Sequence, residues 1–305
     1  MTGATTELQA DCGRCMALCC VAPGFTKSAD FAISKRPGQP CPHLEQDFGC
    51  GIHDRLRPSG FPGCTVFDCF GAGQQVTQVT FAGRDWRSHP DQAPAMFASF
   101  AVMRQLHELR WHVDQALTLT EDLTEGLTED PAEGLTEDLA EGLTEDLGGS
   151  QLRAELAQAD QTLRGHADSS PAALAALDVD PLWVTVTALL RRASQLIRGE
   201  VPPGRERSGA DLMGRHLAGV DLRRASLRGA YLIGTNLAGA DLRLADLAGA
   251  DLRGAQLAGA DLSSSLFVTQ AQLDAARGDA RTKLPPARRR PAHWLGRAPG
   301  PGGGR

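Results

Sequence analysis

Leucine recurs at every fifth position in the C-terminal third of the chain. The series consists of Leu212, Leu217, Leu222, Leu227, Leu232, Leu237, Leu242, Leu247, Leu252, Leu257 and Leu262, and Phe267 continues it. A step of five residues rotates each leucine by about 140° around an α-helix, and on a flat strand successive leucines of the series lie on opposite faces. The chain must therefore turn in every pentad, which predicts stacked turns around one continuous core.

Three segments before this series have the three-and-four spacing of amphipathic helices. The first carries the apolar stripe Phe97, Phe100, Met103, Leu106, Leu109, Val113 and Leu117. The second contains Leu152, Leu156 and Leu163, and the third runs from Leu182 through Val186, Leu189, Ala193, Leu196 and Ile197. Asp180 and Pro181 suit the N-cap and the first position of the third helix. The pattern predicts one helix over residues 89–117 and a helical region over residues 151–200.

An acidic four-residue repeat separates the first helix from the second. Between Leu119 and Leu147 the chain repeats units such as LTED and LAEG, with eleven acidic residues and no Lys or Arg. Leucines four residues apart drift by about 40° per repeat around a helix, so they form no fixed stripe. The segment also contains helix-opposing residues, namely Gly126, Pro131, Gly134 and Gly142. We therefore predict an acidic low-complexity linker over residues 118–150, with a frayed helix as the alternative.

The leucine pentads carry a recognisable signature. ADLMG, ADLRL, ADLAG, ADLRG and ADLSS resemble the A(D/N)LXX motif of the pentapeptide-repeat family. The resemblance implies a right-handed quadrilateral parallel β-helix, a solenoid with four pentads per coil, over residues 205–284 including a C-terminal helical cap at Gln270 to Ala276. The predicted fold class is thus a multidomain α plus β protein: a Cys-rich, metal-stapled N-terminal region, a helical middle and this β-helix. Residues 285–305 are predicted to be a disordered basic tail.

All eight cysteines lie in the predicted N-terminal domain, residues 1–88, which has no long amphipathic pattern. Met1 to Gln9 lacks the features of a secretory signal, and no apolar run is long enough for a membrane span, so we expect a cytoplasmic protein. In a reducing compartment, clustered cysteines favour metal binding over disulfides. Eight thiols fit two four-ligand sites for zinc or iron, including an iron–sulfur cluster. The candidate ligands are Cys12, Cys15, Cys19, Cys20, Cys41, Cys50, Cys64 and Cys69.

The spacing of the cysteines leaves several alternatives open. Adjacent Cys19 and Cys20 either serve different sites or include one thiol that only packs. His43 and His53 lie close to cysteines in sequence and could replace a thiol, although a surface or supporting position is the simpler interpretation. Reversible disulfides and simple buried thiols are the alternatives to a metal site.

The cysteine region also resembles a known family. The CxxxCC element from Cys15 to Cys20, the Cys41-Pro42-His43-Leu44 and Cys50-Gly51-Ile52-His53 segments and the Arg57-Pro58 pair resemble the YkgJ-like family of zinc- or iron-chelating cysteine domains. Here five residues separate the Arg-Pro pair from Cys64, whereas two are common in the family. The resemblance implies metal binding and no particular reaction.

The distribution of charge along the chain argues against one function found among pentapeptide-repeat proteins. Some pentapeptide-repeat proteins mimic DNA and inhibit gyrase, but between Ser208 and Gln270 six aspartates are offset by six arginines, which gives no dense negative field. The tail after Arg277 is basic and allows at most weak contact with nucleic acid. No partnered nucleophile or phosphate-binding glycine loop is present. We therefore predict a metal-binding protein without defined catalytic activity whose solenoid binds a protein partner, with an iron–sulfur redox enzyme and a gyrase-interacting DNA mimic as alternatives.

Overall fold

The computed structural model describes residues 7–125 and 147–295. The chain divides into two compact units, Met1–Ala193 and Ser194–Arg305. The predicted acidic linker falls largely on residues 126–146, which lie outside the described residues, as do residues 296–305 of the predicted tail. Residues 285–295 of that tail are ordered rather than disordered, with a 3₁₀ helix at Ala292–Trp294 and a buried Trp294. None of the helices in the described ranges is long and apolar enough to cross a membrane.

The cysteine region of the first unit, residues 7–92, consists of loops joined by short helical elements. They are a 3₁₀ helix at Cys12–Arg14, α1 (Leu18–Val21), a 3₁₀ helix at His53–Arg55, α2 (Pro62–Thr65), α3 (Ala72–Gln74) and a π-helix at Gln75–Thr80. Two isolated antiparallel bridges, Phe25 with Lys35 and Leu44 with Cys50, join the loops. Its buried apolar side chains include Leu18, Val21 and Val76, each 0% exposed, and Ile52, Leu56 and Phe61 form one cluster.

Four helices complete the first unit and lead into the second. They are α4 (Ala93–Glu125), α5 (Leu147–Ala167), α6 (Pro171–Ala176) and α7 (Asp180–Arg198). Helix α4 packs against α5 and α6, and most of its predicted stripe is buried, namely Phe100, Met103, Leu106, Leu109 and Val113. It continues into the start of the acidic segment, where the buried Thr120 hydroxyl donates to Ala116 O at 2.8 Å.

The leucine pentads, residues 205–269, are called the repeat region below. Residues twenty positions apart form isolated parallel bridges, for example Asp221 with Asp241 and Asp241 with Asp261. A turn interrupts every pentad, and all leucines of the series from Leu222 to Leu262 are at most 2% exposed. Leu212 and Leu217 are only partly buried, next to the exposed Arg215, which replaces the alanine of later pentads.

The predicted parallel β-helix, and with it the α plus β fold class, is wrong for the described residues. They contain no strand or sheet, and their regular secondary structure is helical. The physical reason is the turn in each pentad. Within the pentads, bridges form only at the position before the leucine. Glycines such as Gly229, which donates to Ala248 O at 2.8 Å, add single bonds before the chain bends again, so a bridge never grows into a strand.

The end of the repeat region is covered by helix α8 (Gln270–Ala275), which confirms the helix predicted there. A capping box between Thr269 and Gln272 begins this helix. The Gln272 side-chain amide donates to the carbonyl oxygens of Leu247 and Ala250, each at 2.8 Å. Helix α8 is thereby joined by side-chain hydrogen bonds to the backbone of the pentads around Leu247 and Ala250.

Candidate metal centre

The segment that carries the first four cysteines is bent by two strained residues. Met16 and Ala17 have φ values of +47° and +55°. These values lie in the left-handed region, where each residue other than glycine is destabilised by about 1–2 kcal/mol. They turn the chain between Cys15 and helix α1, which carries Cys19 and Cys20. Such strain persists only where the surroundings hold it, and it is frequent at functional sites.

Three contacts from later residues hold this bend in place. The Trp86 indole N–H donates to Met16 O at 2.9 Å, and the buried Thr77 hydroxyl donates to Arg14 O at 2.6 Å. A side chain at Gly73 would come within 2.6 Å of the Cys15 Cβ atom, so only glycine allows this approach. Helix α3, the π-helix and the loop after it therefore fix the position of Cys15.

We assign Cys12, Cys15, Cys19 and Cys69 to a first thiol group because their charges act on one another's pKa values. A hydrogen bond from Cys15 lowers the pKa of Cys12 to about 6, and the charge of His53 also lowers it. The same bond and burial raise the pKa of Cys15, and the charges of Cys12 and Cys69 add to the rise. Its bond to Cys20 and burial raise the pKa of Cys19, with further contributions from the charges of Cys15 and Cys69. These effects couple the titration of the four thiols, and the charge of Cys12 also raises the pKa of Cys20 in the other group.

Cys20, Cys41, Cys50 and Cys64 form the second thiol group. The backbone N–H of Cys41 donates to Cys20 O at 3.0 Å, which joins two of the segments. Burial raises the pKa of Cys64 to about 11, and the charges of Cys20, Cys41 and Cys50 add to this rise. Burial also raises the pKa values of Cys41 and Cys50, and the charge of Cys20 acts on both.

The two groups meet at Cys19 and Cys20, whose Sγ atoms lie 3.8 Å apart. The hydrogen bond from Cys19 lowers the pKa of Cys20, and the charge of Lys35 lowers it further. Each group therefore holds one thiol of lowered pKa, Cys12 or Cys20, and the thiolate is the form that binds metals. Nothing in the spacing of the cysteines distinguishes these two from the others.

The placement of the side chains is looser than that of a loaded metal site. No three Cys, His, Asp or Glu side chains of residues 7–125 and 147–295 converge closely enough to hold a metal ion, and all eight cysteines are free thiols. His43 packs edge-on against Phe61, with ring centroids 5.1 Å apart. The chemistry of the donors nevertheless fits zinc or iron, because thiolates are ligands that both metals bind.

Comparisons with known proteins agree on the repeats and extend beyond them. The family profile "Pentapeptide repeats" matches eight copies over residues 208–243 and 225–263. A solved pentapeptide-repeat protein from the thylakoid lumen of Arabidopsis thaliana is 28% identical over 29% of this chain and 68% of its own, with a TM-score of 0.15. The uncharacterized protein YybG of Bacillus subtilis is 44% identical over 292 residues, which are 94% of this chain and 95% of YybG. The chain carries pentapeptide repeats and belongs to the family of YybG.

Proposed function

We propose that this protein binds two metal ions or clusters, of zinc or iron, through its N-terminal cysteines and uses its pentapeptide repeats to bind a protein partner. The metal part of the proposal is carried by the charge effects among the thiols, from which we infer two groups of four. Four thiol ligands per site is the number that structural zinc and iron–sulfur sites use. The resemblance to the YkgJ-like family stays a prediction that points the same way.

The state of the thiols supports this proposal. One thiol in each group has a lowered pKa, while burial and neighbouring negative charge raise the pKa values of the other thiols. Four thiols held this close titrate against one another, and a divalent cation relieves that repulsion because its charge favours the thiolate form. Cys12 and Cys20 are therefore the thiols expected to bind first, followed by the rest of each group.

The lack of long helices in the cysteine region gives metal binding a structural purpose. The helical elements of residues 7–92 are at most six residues long, so the loops between them depend on side-chain contacts for their positions. A bound metal would cross-link loops that are far apart in sequence, such as the segments of Cys20 and Cys64, and would supply folding free energy. We therefore expect the loops of this region to lose their fixed positions when the metal is removed.

Anaerobic purification with metal analysis tests the proposal. We expect about two metal equivalents or two clusters per chain, consistent with four ligands per site. A colourless protein with zinc indicates structural sites, and a brown protein with sulfur-to-iron charge-transfer bands indicates iron–sulfur clusters. Cys12→Ser and Cys64→Ser should each remove one of the two, because each variant removes a ligand of a different group.

The neighbouring Ser59→Ala serves as the control for Cys64→Ser and should keep both metals. The decisive contrary result is a reduced protein that binds no metal and whose residues 7–92 still resist protease. Such a result shows that the thiols only pack. Loss of both metals in each cysteine variant would instead contradict the division into two groups.

The partner part of the proposal rests on an apolar patch of the repeat region. Met213 and Tyr231 are 50% and 52% exposed, and the backbone beside Met213 is joined to Tyr231, because Leu212 N–H donates to Tyr231 O at 3.0 Å. A photo-crosslinking residue at Tyr231 should capture one defined partner, and Met213→Asp should abolish the capture. The same crosslinker at the exposed His216 is the control, and equal labelling from both positions would contradict a specific patch.

A further inference from the structure

The cysteine region contains one buried lysine, Lys35, which is 4% exposed. Its ammonium group donates to the carbonyl oxygens of Gln39 at 2.8 Å, Val21 at 3.0 Å and Arg36 at 3.4 Å. The ring of Phe25 covers it, with Nζ 5.5 Å from the ring centroid. Three carbonyl acceptors match the three N–H donors of an ammonium group, so the site is built for the charged form.

The acceptors of Lys35 belong to the segments that carry two ligands of the second thiol group. Val21 follows Cys20 directly, and Gln39 precedes Cys41 by two residues. Burial lowers the pKa of Lys35, and the negative charges of Cys41, Cys20 and Cys19 oppose this effect. The charged groups that act on the ammonium group are therefore thiols.

No carboxylate balances this charge. Among residues 7–125 and 147–295, Lys35 takes part in no ion pair with Asp or Glu, and none acts on its pKa. A buried charge without a counter-ion costs several kcal/mol, and proteins pair or neutralise such groups. Carbonyl dipoles alone leave the net charge in place, and in a metal-bound form the thiolates of Cys20 and Cys41, whose segments carry the acceptors of Lys35, would supply the compensating negative charge.

We infer that Lys35 is the fixed counter-charge of the second thiol group, and that it favours the anionic tetrathiolate form of a metal bound by Cys20, Cys41, Cys50 and Cys64. A divalent cation with four thiolates carries a net charge of −2, which is costly to bury without a nearby cation. Lys35 also ties the Cys20 segment to the Cys41 segment, so it acts as a positioning residue rather than as a ligand. This inference rests on the proposed metal binding.

Anaerobic titration with Co²⁺ against a competing chelator tests this role in two single-site backgrounds. Cys12→Ser leaves the second group intact, and Cys64→Ser leaves the first. We expect Lys35→Met to weaken Co²⁺ binding about tenfold or more in the Cys12→Ser background and by a clearly smaller factor in the Cys64→Ser background, because Cys19 is the one thiol of the first group whose charge acts on Lys35. The sulfur-to-cobalt charge-transfer band of the second site should move to lower energy, since removing a positive charge raises the energy of thiolate electrons.

Two further variants separate the charge of Lys35 from its packing. Lys35→Arg keeps the charge and should restore most of the affinity, and Lys27→Met removes an exposed positive charge from the same segment and should change nothing. If Lys35→Met fails to fold, Lys35→Gln keeps two N–H donors without the charge and gives the same comparison.

The outcomes are distinguishable. An equal loss of Co²⁺ affinity in both backgrounds, or an unmoved charge-transfer band, overturns the counter-charge role in favour of a merely structural one. Unchanged affinity in both backgrounds shows that Lys35 has no role at the site. A parent chain that binds no Co²⁺ contradicts the proposed metal binding itself, and the role of Lys35 with it.

Discussion

The repeat region and the cysteine region bury different kinds of side chain. In residues 205–269 every pentad from Leu222 onward contributes a buried leucine, and small residues such as Ala225 and Ala240 are 0% exposed between them. In residues 7–92 the buried groups include a charged lysine and a cysteine, and the large apolar side chain of Phe67 is 41% exposed. The first region repeats one apolar contact many times, whereas the second depends on a few unlike contacts.

This difference indicates that stabilising free energy is spread over many residues in the repeat region and depends on a few individual residues in the cysteine region. A repeated core spreads its free energy over equivalent pentads, each in contact with its neighbours twenty residues away. The cysteine region instead depends on individual residues, such as the Cys20 thiol, the Lys35 ammonium group and the Trp86 bond to the strained Met16. Changes of pH or metal content should therefore act on the cysteine region first.

The largest effect is expected from a charge inside the repeated core. Leu242 is 0% exposed, so Leu242→Asp would bury an unpaired carboxylate at a cost of several kcal/mol. Hydrogen exchange of the full chain should show the repeat region unfolded, while the metal content of the cysteine region stays unchanged. Met213→Asp, at a side chain 50% exposed, is the matched control and should leave exchange unaltered. Loss of metal together with the repeat core would show that the two regions are not independent.

Regular patterns made much of this fold predictable, and the exceptions have physical causes. The leucine period placed the buried side chains of the repeat region, and the three-and-four spacing placed α4. The period could not show that only one residue per pentad pairs, because pairing depends on how sharply each turn bends the backbone. For the candidate site, the spacing located the thiols, but it could not show the left-handed bend at Met16 and Ala17 that turns the chain before Cys19 and Cys20.

Lys35 is the site residue that the sequence prediction missed. Phe31, Ile33 and Lys35 occupy alternate positions that face inward to different degrees, while Ala32, Ser34 and Arg36 between them are exposed. This alternation of inner and outer positions was the available signal. A lysine at an inner position is normally interpreted as solvated, because its long side chain can reach the surface. Only the three carbonyl contacts reveal that its ammonium group stays inside.

Acid should destabilise the first unit at a higher pH than the repeat region. The expected loss of stability lies between the effect of Leu242→Asp and the effects of the glycine substitutions. His107 is 1% exposed and its Nδ1 lies 2.7 Å from Phe70 O. Burial lowers the pKa of His107 to about 4; Arg110 and Arg164 lower it further, while the bond to Phe70 O and the charge of Glu7 raise it. In the unfolded chain the pKa is about 6.5, so stability is full above about pH 6.5 and falls by up to about 3 kcal/mol as pH drops to about 4.

The repeat region lacks this sensitivity in the same pH range. Hydrogen bonds from Arg223 and Arg243 lower the pKa values of Asp221 and Asp241, so their contribution is present above about pH 3.9 and is lost only below it. Denaturant unfolding between pH 7 and 4.5 measures the difference. His107→Gln keeps a donor for Phe70 O and should remove most of the extra acid sensitivity, whereas the exposed His216→Gln should not. Equal pH dependence of the wild type and His107→Gln would exclude this account.

The smallest effects are expected from two Gly→Ala substitutions, which should change the free energy of unfolding in opposite directions. Gly234 in the repeat region has a φ of +65° with no atom within 4 Å of an added Cβ, so Gly234→Ala meets only backbone strain, about 1 kcal/mol. Gly165 is an exposed helical residue of α5, also with open space around an added Cβ. There Gly165→Ala should stabilise the helix by about 0.5–1 kcal/mol, because alanine loses less backbone freedom on folding.

Local hydrogen exchange resolves both changes in one chain, since each should alter protection only in its own unit. Arg224 and Leu244 occupy the corresponding turn position of their pentads with φ values of +59° and +58°, which shows that the turn accepts a side chain at the cost of strain. Leu244→Gly therefore relieves backbone strain but also removes a half-buried side chain. Its net effect on stability should be smaller than that of Gly234→Ala. If Gly234→Ala and Gly165→Ala shift stability in the same direction, the left-handed turn does not set the conformation of the pentads.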